Sequence, residues 1–166
     1  MPLIRPEDAR DFDTIRELLL ATFGREAESR LVERLRASGK IASALVAEEK
    51  ERILGHVVFS KIATDTGGEA LALAPLAVVP AFQRLGIGSA LVSAGLERCR
   101  KDGQPRVLVL GDPLYYSRFG FAPAARFGLK CPLPAADASF MAMEMESRAF
   151  AGVSSVRYGH EFEDLE

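Results

Sequence analysis

The sequence predicts a mixed α/β domain in which helices flank a central sheet that is mostly antiparallel and contains one parallel strand pair. The antiparallel part follows from β-rich apolar runs joined by polar turns at residues 48–51 and 65–68, which are too short for anything but hairpins. The parallel pair follows from the helical pattern of residues 83–102, which lies between two apolar runs. A strand, helix and strand in this order make a right-handed crossover to a parallel neighbour.

The amino-terminal part predicts one strand followed by two helices. Residues 1–5 form the strand, and behind the acids Glu7 and Asp8 apolar residues recur at helical spacing as far as Gly24. A second helix ends at Gly39. The inner faces of the two helices consist of Phe12, Ile15, Leu19 and Thr22/Phe23 in the first and of Leu31, Val32 and Leu35 in the second.

The following segments predict three antiparallel strands, at residues 42–48, 52–62 and 70–79. Pro75 lies inside the third of them. Because proline has no N–H to donate, we expect a bulge or interrupted pairing there, and a strand that splays from one neighbour.

The crossover unit continues with a helix over residues 83–102 and a buried strand at Arg106–Leu110. Gly103 caps the helix. The apolar face of this helix is predicted to consist of Leu85, Leu91, Val92, Leu96 and Cys99. A short helix at 115–118 and a strand at 140–144 follow, and the tripeptide Arg-Phe-Gly occurs at 118–120 and again at 126–128.

Composition supports one domain over residues 1–166 and excludes several classes of protein. The chain has 166 residues, 48% of them apolar, with 21 Lys and Arg against 23 Asp and Glu. This balance leaves no basic footprint for nucleic acid, and no apolar stretch reaches the length of a membrane span. Two cysteines, Cys99 and Cys131, are too few for a disulfide scaffold or a zinc site, so we expect a cytoplasmic protein without a metal.

A glycine-containing loop, Gln83–Ala90, opens the helix of the crossover unit. Up to about four backbone N–H groups at a helix start lack partners, and the helix dipole is positive there, so an anion binds favourably. Gly86 and Gly88 let a diphosphate approach the main chain, and Arg84 adds a positive charge. The loop is neither a Walker A motif, because it lacks the lysine, nor a dinucleotide fingerprint, because Leu91 occupies the third glycine position.

The segment Gln83-Arg84-Leu85-Gly86-Ile87-Gly88 resembles the Q/R-x-x-G-x-G/A signature of the GNAT superfamily of acyl-CoA-dependent N-acyltransferases. The stretch Leu76–Pro80 before it resembles the fourth strand of that family, and Tyr115–Phe121 resembles its segment with a tyrosine that faces the coenzyme sulfur. The segment Gly111-Asp112-Pro113-x-Tyr-Tyr-x-Arg-Phe-Gly-Phe most resembles a bacterial subgroup of N-acetyltransferases, and the resemblance to the family covers nearly the whole chain. It implies transfer of an acetyl group from acetyl-CoA to a small-molecule amine or a protein amine.

The same resemblance implies which residues form the site. The thioester lies between the splayed fourth and fifth strands, and Tyr116 is the general acid, with its neighbour Tyr115 as the competing candidate. Phe23, Arg25 and Glu26, between the first two helices, are implied to contact the acceptor. The coenzyme ligands implied by the two motifs are Leu76, Ala77, Val78 and Val79 in the strand and Gln83, Arg84, Leu85, Gly86, Ile87, Gly88 and Ser89 in the loop.

The resemblance also implies a glutamate on the fourth strand as general base. Residues 70–79 of the predicted fourth strand contain no acid. Water, a group of the substrate, Glu26 or His56 are the alternatives, although His56 lies in an apolar strand where a core histidine is more common. Both cysteines have the surroundings of packing residues, which favours direct transfer over a covalent intermediate. A non-catalytic acyl-CoA-binding or sensing module is the alternative function, and the oligomeric state, a homodimer included, stays open.

Overall fold

In the computed structural model, residues 1–133 and 137–165 are described, and they form four α-helices and eight strands joined by turns. Along the chain these elements are β1 (Leu3–Pro6), α1 (Phe12–Phe23), α2 (Ala27–Ser38), β2 (Ile41–Glu49), β3 (Arg52–Thr64), β4 (Glu69–Val78), α3 (Ile87–Lys101), β5 (Arg106–Leu110), α4 (Pro113–Tyr116), β6 (Ala122–Pro123), β7 (Phe140–Glu144) and β8 (Val156–Arg157). None of the helices in this part of the chain is both long and apolar enough to cross a membrane.

The strands form one sheet in the order β1-β2-β3-β4-β5-β7-β6, with β8 paired to the far end of β3. Every pairing in this sheet is antiparallel except that of β4 with β5, which α3 connects. The predicted fold class, a mostly antiparallel sheet with one parallel crossover unit, is therefore confirmed. The short strands β6 and β8 have no sequence signal strong enough to predict them.

Side chains from both faces of the sheet form the core, because the strands alternate apolar residues between two helical layers. One layer contains α1 and α2, whose residues Ile15, Leu19 and Leu35 are almost completely buried. The other layer contains α3, where Leu91 and Val92 are fully buried. The sheet is thus held between helices on both faces, and β4 and β5 lie near its centre.

The parallel pairing of β4 with β5 covers only Leu71, Ala72 and Leu73 on the β4 side. Pro75 follows two residues later, and the register of β4 against β3 shifts between Val57 and Phe59. The predicted interruption at Pro75 is confirmed, since a residue without an N–H cannot continue the ladder. Beyond Leu73 the two central strands separate.

Helix α3 begins later than the sequence pattern indicates. It starts at Ile87, after Arg84 and Gly86 have both taken left-handed backbone conformations (φ 65° and 87°). The residues before Ile87 therefore form a loop, and Leu85 is 62% exposed instead of packing on the helix face. The apolar periodicity therefore predicted one helical turn too many at this end. A residue with a left-handed backbone cannot be part of an α-helix, whatever the apolar pattern around it.

Candidate active site

A cleft of about 450 Å³ opens where the end of β4, the first turn of α3 and α4 approach one another. We call it the loop cleft. Its walls come from segments far apart in the sequence. The residues that line it are Thr22, Leu76, Val78, Gln83, Arg84, Gly86, Gly88, Ser89, Tyr115 and Arg118. The cleft thus lies beside the part of β4 that no longer pairs with β5.

The β4 wall presents alternate backbone groups to the loop cleft. The N–H of Val79 donates to the carbonyl of Leu54 in β3 at 2.9 Å. Successive residues of a strand direct their backbone groups to opposite sides, so Ala77 also faces β3, whereas Leu76 and Val78 face the cleft. The structure therefore divides the four predicted strand residues, because the backbone groups of Ala77 and Val79 are already used within the sheet.

The carbonyl of Val78 accepts two hydrogen bonds that join the walls of the cleft. Gln83 Nε2 donates to it at 3.0 Å, and Thr22 Oγ1, from the last turn of α1, donates at 3.3 Å. Gln83, predicted as a coenzyme ligand, is thus engaged in fixing the loop to the strand. The N–H groups of Leu76 and Val78 remain the donors that this wall directs at a bound molecule.

The first turn of α3 supplies the second set of donors. Ala90 N–H already donates to the carbonyl of Gly86 at 3.0 Å, which leaves the N–H groups of Ile87, Gly88 and Ser89 without carbonyls in their own helix. The Ile87 side chain is buried in the core, so only its backbone belongs to the site. These N–H groups and the positive end of the helix dipole suit an anionic ligand.

The two glycines of the loop are required for different reasons. Gly86 has a φ of 87°, and a Cβ there would meet no atom within 4 Å, so the need is for the left-handed backbone. A Cβ on Gly88 would lie 3.2 Å from the Tyr115 hydroxyl and 3.7 Å from Val78 Cγ2. Gly88 therefore keeps the floor of the cleft open.

The two neighbouring tyrosines of α4 have different surroundings. The Tyr115 hydroxyl lies in the loop cleft, 3.2 Å from Ser89 Oγ, and links α4 to α3. Tyr116 lies edge-on to the Tyr115 ring, with centroids 5.0 Å apart, and packs against Phe121 and the backbone of Gly111 at the end of β5. Tyr115 thus forms part of the cleft surface, and Tyr116 lies behind it beside the separated strands.

Tyr116 is 8% exposed, and its hydroxyl forms no hydrogen bond with residues 1–133 or 137–165. Burial, assisted by the neighbouring Tyr115, raises the pKa of Tyr116 to about 12. The phenol therefore stays protonated throughout the physiological pH range, and its proton is not shared with a neighbouring side chain in the described residues. The phenol thus carries a proton at neutral pH, but Tyr115 and not Tyr116 is among the residues that line the loop cleft.

The charged side chains on the described walls of the loop cleft are both cations, Arg84 and Arg118. Arg84 belongs to the glycine loop, and Arg118 directly follows α4. Arg118 and Thr22, which also line the cleft, were not predicted as site residues. Thr22 carried a weak signal, a hydroxyl at the end of an apolar stripe, whereas Arg118 occurs in a tripeptide whose second copy is identical.

The candidates for general base do not line the loop cleft. His56 is completely buried, and its Nε2 lies 2.8 Å from Glu7 Oε1, while Arg36 donates to both oxygens of the same carboxylate. Glu26 lies in a different cavity with Arg25, and there it pairs with Arg30. His56 therefore belongs to a structural cluster in the core, and the structure brings neither candidate to the cleft.

The predicted acceptor loop touches the loop cleft only through the residue before it, Thr22. Arg25 donates two hydrogen bonds to the buried carboxylate of Glu28, at 3.0 and 2.6 Å, and Phe23 is 36% exposed. The loop containing Phe23, Arg25 and Glu26 is thus adjacent to the cleft, but its three predicted side chains do not form the cleft wall.

Neither cysteine is among the described residues that line the loop cleft. Cys99 is buried on α3, and burial raises the pKa of its thiol to about 12, which disfavours the nucleophilic thiolate. No group of three His, Cys, Asp or Glu side chains within residues 1–133 and 137–165 is arranged to hold a metal ion.

Comparisons with known proteins agree with this geometry. The profile of the family described as Acetyltransferase (GNAT) family matches residues 12–121. The chain is 37% identical over 163 residues to the uncharacterized N-acetyltransferase YhbS of Escherichia coli strain K12, with 96% of both chains covered. It is 38% identical over 124 residues to the uncharacterized N-acetyltransferase YjhQ of the same strain, covering 71% of this chain and 68% of the relative.

Two solved structures share the fold over almost their whole length. The crystal structure of E. coli YhbS in complex with CoA has a TM-score of 0.92 and 36% identity, covering 98% of this chain and 92% of that chain. A GNAT family acetyltransferase from Brucella melitensis in complex with acetyl-CoA has a TM-score of 0.82 and 31% identity, covering 98% of each.

Proposed function

We propose that this chain, which belongs to the GNAT family of acetyltransferases, transfers the acetyl group of acetyl-CoA to a primary amine by direct attack in a ternary complex. The observation that carries the proposal is the loop cleft, where an anion-binding helix start, free strand donors and two cations meet in one cavity. The CoA and acetyl-CoA bound to the two similar structures support acetyl-CoA as the co-substrate. The cytoplasmic location stays a prediction.

Different walls of the loop cleft bind different parts of the coenzyme. The N–H groups at the start of α3, with Gly86 and Gly88 giving access, suit the diphosphate. The N–H groups of Leu76 and Val78 suit the pantetheine amide and the thioester carbonyl, whose oxygen becomes negative during attack. The donors are fixed by the sheet, so they need no reorganisation when that charge develops.

Acyl transfer also requires a proton for the sulfur. The amine nitrogen bonds to the carbonyl carbon, the C–S bond breaks, and the departing sulfur takes up a proton. We assign Tyr116 as the donor of this proton. A thiol has a pKa near 8.5, well below that of Tyr116, so the transfer requires the sulfur to enter the same buried surroundings as the phenol, where burial raises the pKa of the thiol as well. The proton is therefore transferred while the C–S bond breaks.

The amine must lose a proton as well. No acid of the described residues lines the loop cleft, and both His56 and Glu26 lie elsewhere. We therefore assign this proton to water, with the amine entering in its neutral form. This assignment makes the rate rise with pH as the free amine is formed.

Thiol release with a panel of primary amines, small molecules and peptides, tests the function against a purely binding role. We expect acetyl-CoA to raise the melting temperature and at least one amine to cause thiol release above background. A sensing module would show the same rise in melting temperature, but no amine would accelerate thiol release. That result would replace the enzymatic proposal by the binding one.

Changing Tyr116 to Phe tests the assigned proton donor. The ring packing is kept and the proton is lost, so we expect kcat to fall by about 10- to 100-fold, with little change in acetyl-CoA affinity. Tyr115 to Phe is the matched control. It removes the hydrogen bond to Ser89 and should affect coenzyme affinity more than kcat. A larger fall in kcat for Tyr115 to Phe would transfer the role to Tyr115.

A further inference from the structure

Arg118 is an exposed cation that lines the loop cleft and has no carboxylate partner in the described residues. We propose that Arg118 binds a phosphate group of the coenzyme and, with Arg84, brackets the anionic end of acetyl-CoA. The inference rests on the proposed use of acetyl-CoA and adds a specificity-determining residue to it.

The side chain of Arg118 is held in place before any ligand binds. Its guanidinium carbon lies 4.6 Å from the centre of the Tyr115 ring, and its Nε donates to the Tyr115 carbonyl at 3.4 Å. The Tyr115 hydroxyl in turn reaches Ser89 on α3. Arg118 is therefore positioned through Tyr115 relative to the first turn of α3, where the diphosphate is expected.

The remaining N–H groups of the guanidinium point to no partner within residues 1–133 and 137–165. An arginine presents these donors as a planar fork that matches two oxygens of a phosphate. Because stacking on Tyr115 already restricts the side chain, less conformational entropy is lost when the phosphate binds.

The sequence provides a matched control for this residue. Arg126 is in the second copy of Arg-Phe-Gly, and like Arg118 it lies in a 3₁₀ turn that ends at a left-handed glycine. Arg126 is also exposed but does not line the loop cleft. Arg126→Met thus removes the same charge from the same local structure outside the site.

The experiment compares Arg118→Met and Arg126→Met with the unchanged protein on three acyl donors: acetyl-CoA, its 3′-dephospho form and S-acetylpantetheine, which has no phosphate. We expect Arg118→Met to raise the Kd for acetyl-CoA about tenfold and to leave kcat/KM for S-acetylpantetheine unchanged. Arg126→Met should change neither. If the 3′-phosphate is the partner, Arg118→Met will bind the 3′-dephospho donor with the same Kd as the unchanged protein. If the diphosphate is the partner, Arg118→Met will bind that donor more weakly than the unchanged protein.

Equal acetyl-CoA affinity in Arg118→Met and the unchanged protein would overturn the inference. A fall in kcat/KM for S-acetylpantetheine as large as the loss of acetyl-CoA affinity would also overturn it, because it would indicate a packing role for Arg118. Arg118→Lys keeps the positive charge but lacks the planar fork of donors, and it tests the same role if Arg118→Met does not fold. An intermediate Kd for acetyl-CoA is expected for it. If the unchanged protein itself bound no acetyl-CoA, the proposed function would fail, a result distinct from failure at Arg118 alone.

Discussion

Two cavities of this protein differ in size and in charge. The loop cleft, about 450 Å³, has Arg84 and Arg118 as the charged residues on its described walls. A larger cavity of about 1000 Å³ lies between β1, α1 and the turn after β2, and we call it the charged cavity. Its walls include four basic residues, Arg5, Arg10, Lys50 and Arg52, and four acidic ones, Asp11, Glu17, Glu48 and Glu51.

The eight charged residues of the charged cavity are balanced in sign, and three of them, Arg5, Asp11 and Glu48, form one ion-pair cluster. Arg5 donates to both oxygens of Asp11, at 2.8 and 3.0 Å, and to Glu48 at 3.2 Å. In the loop cleft, by contrast, the unpaired groups are backbone donors and cations, all of which attract an anion. Volume alone would favour the charged cavity, whereas donors and cations of one sign favour the loop cleft as the coenzyme site.

The largest expected effect is at the glycine loop. Gly86→Val forces a β-branched residue into a left-handed backbone, and Gly88→Val places a side chain against Tyr115. Each change displaces the α3 donors from the diphosphate, and losing two such hydrogen bonds corresponds to about 100-fold in Kd for acetyl-CoA. Isothermal titration calorimetry measures it.

Gly103→Val is the control for backbone strain at the opposite end of α3. Gly103 has a φ of 71° and open space around its Cβ position, as Gly86 does. This variant should lose stability but keep its acetyl-CoA affinity. Equal affinity losses at Gly86 and Gly103 would indicate that strain in α3, rather than the loop, governs binding.

In the charged cavity we expect an effect on stability alone. Asp11→Asn weakens the hydrogen bonds with Arg5 and with the backbone of Asp8, at a loss of about 1.5–3 kcal/mol in the free energy of unfolding. Urea unfolding measures this loss, and the Kd for acetyl-CoA should stay the same. A substantial loss of coenzyme affinity in a folded variant would make the charged cavity part of the site.

A smaller, pH-dependent effect is expected at Glu7. Burial alone would raise the pKa of Glu7, but hydrogen bonds with His56 and Arg36 outweigh it, and the pKa lies below its ordinary value of 4.5. A carboxyl with a lowered pKa in the folded state stabilises above the unfolded pKa and loses this contribution as the pH falls. Glu7→Gln should therefore be less stable than the unchanged protein at pH 7, with a difference that shrinks below pH 4.5.

Unfolding curves in urea at several pH values between 7 and 3 test this sign. A stability difference that stays constant over the range would show that the carboxylate charge of Glu7 is not what the cluster uses. Thiol release by Glu7→Gln at neutral pH should be close to normal, because the cluster does not line the loop cleft.

The smallest expected effect is that of a chelator. The proposed reaction uses backbone donors, a tyrosine and water, so prolonged dialysis against EDTA should leave thiol release unchanged. Activity lost on dialysis and restored by a divalent ion would contradict this. It would also require a ligand set that neither cavity presents among its described residues.

Much of the fold could be predicted from the sequence because its signals are local. The helical spacing of Ile15 and Leu19, the short turns between strands and the break at Pro75 each depend on nearby residues only. The glycine loop was also recognisable, since left-handed glycine and a helix start leave a local pattern. Leu85 was predicted on the helix face but lies in the exposed loop before it. Apolar periodicity does not show which residue adopts a left-handed backbone and so where the helix begins.

The tertiary structure decided which of these residues meet. Only the pairing of β4 with β3 determines that Leu76 and Val78, rather than Ala77 and Val79, present backbone groups to the loop cleft. The contact of Tyr115 with Ser89 joins residues 26 positions apart, and of the two Arg-Phe-Gly copies only the first contributes its arginine to the loop cleft. The sequence by itself determined the elements and their motifs, whereas strand register and long-range packing selected the groups that remain free to bind, because both depend on partners distant along the chain.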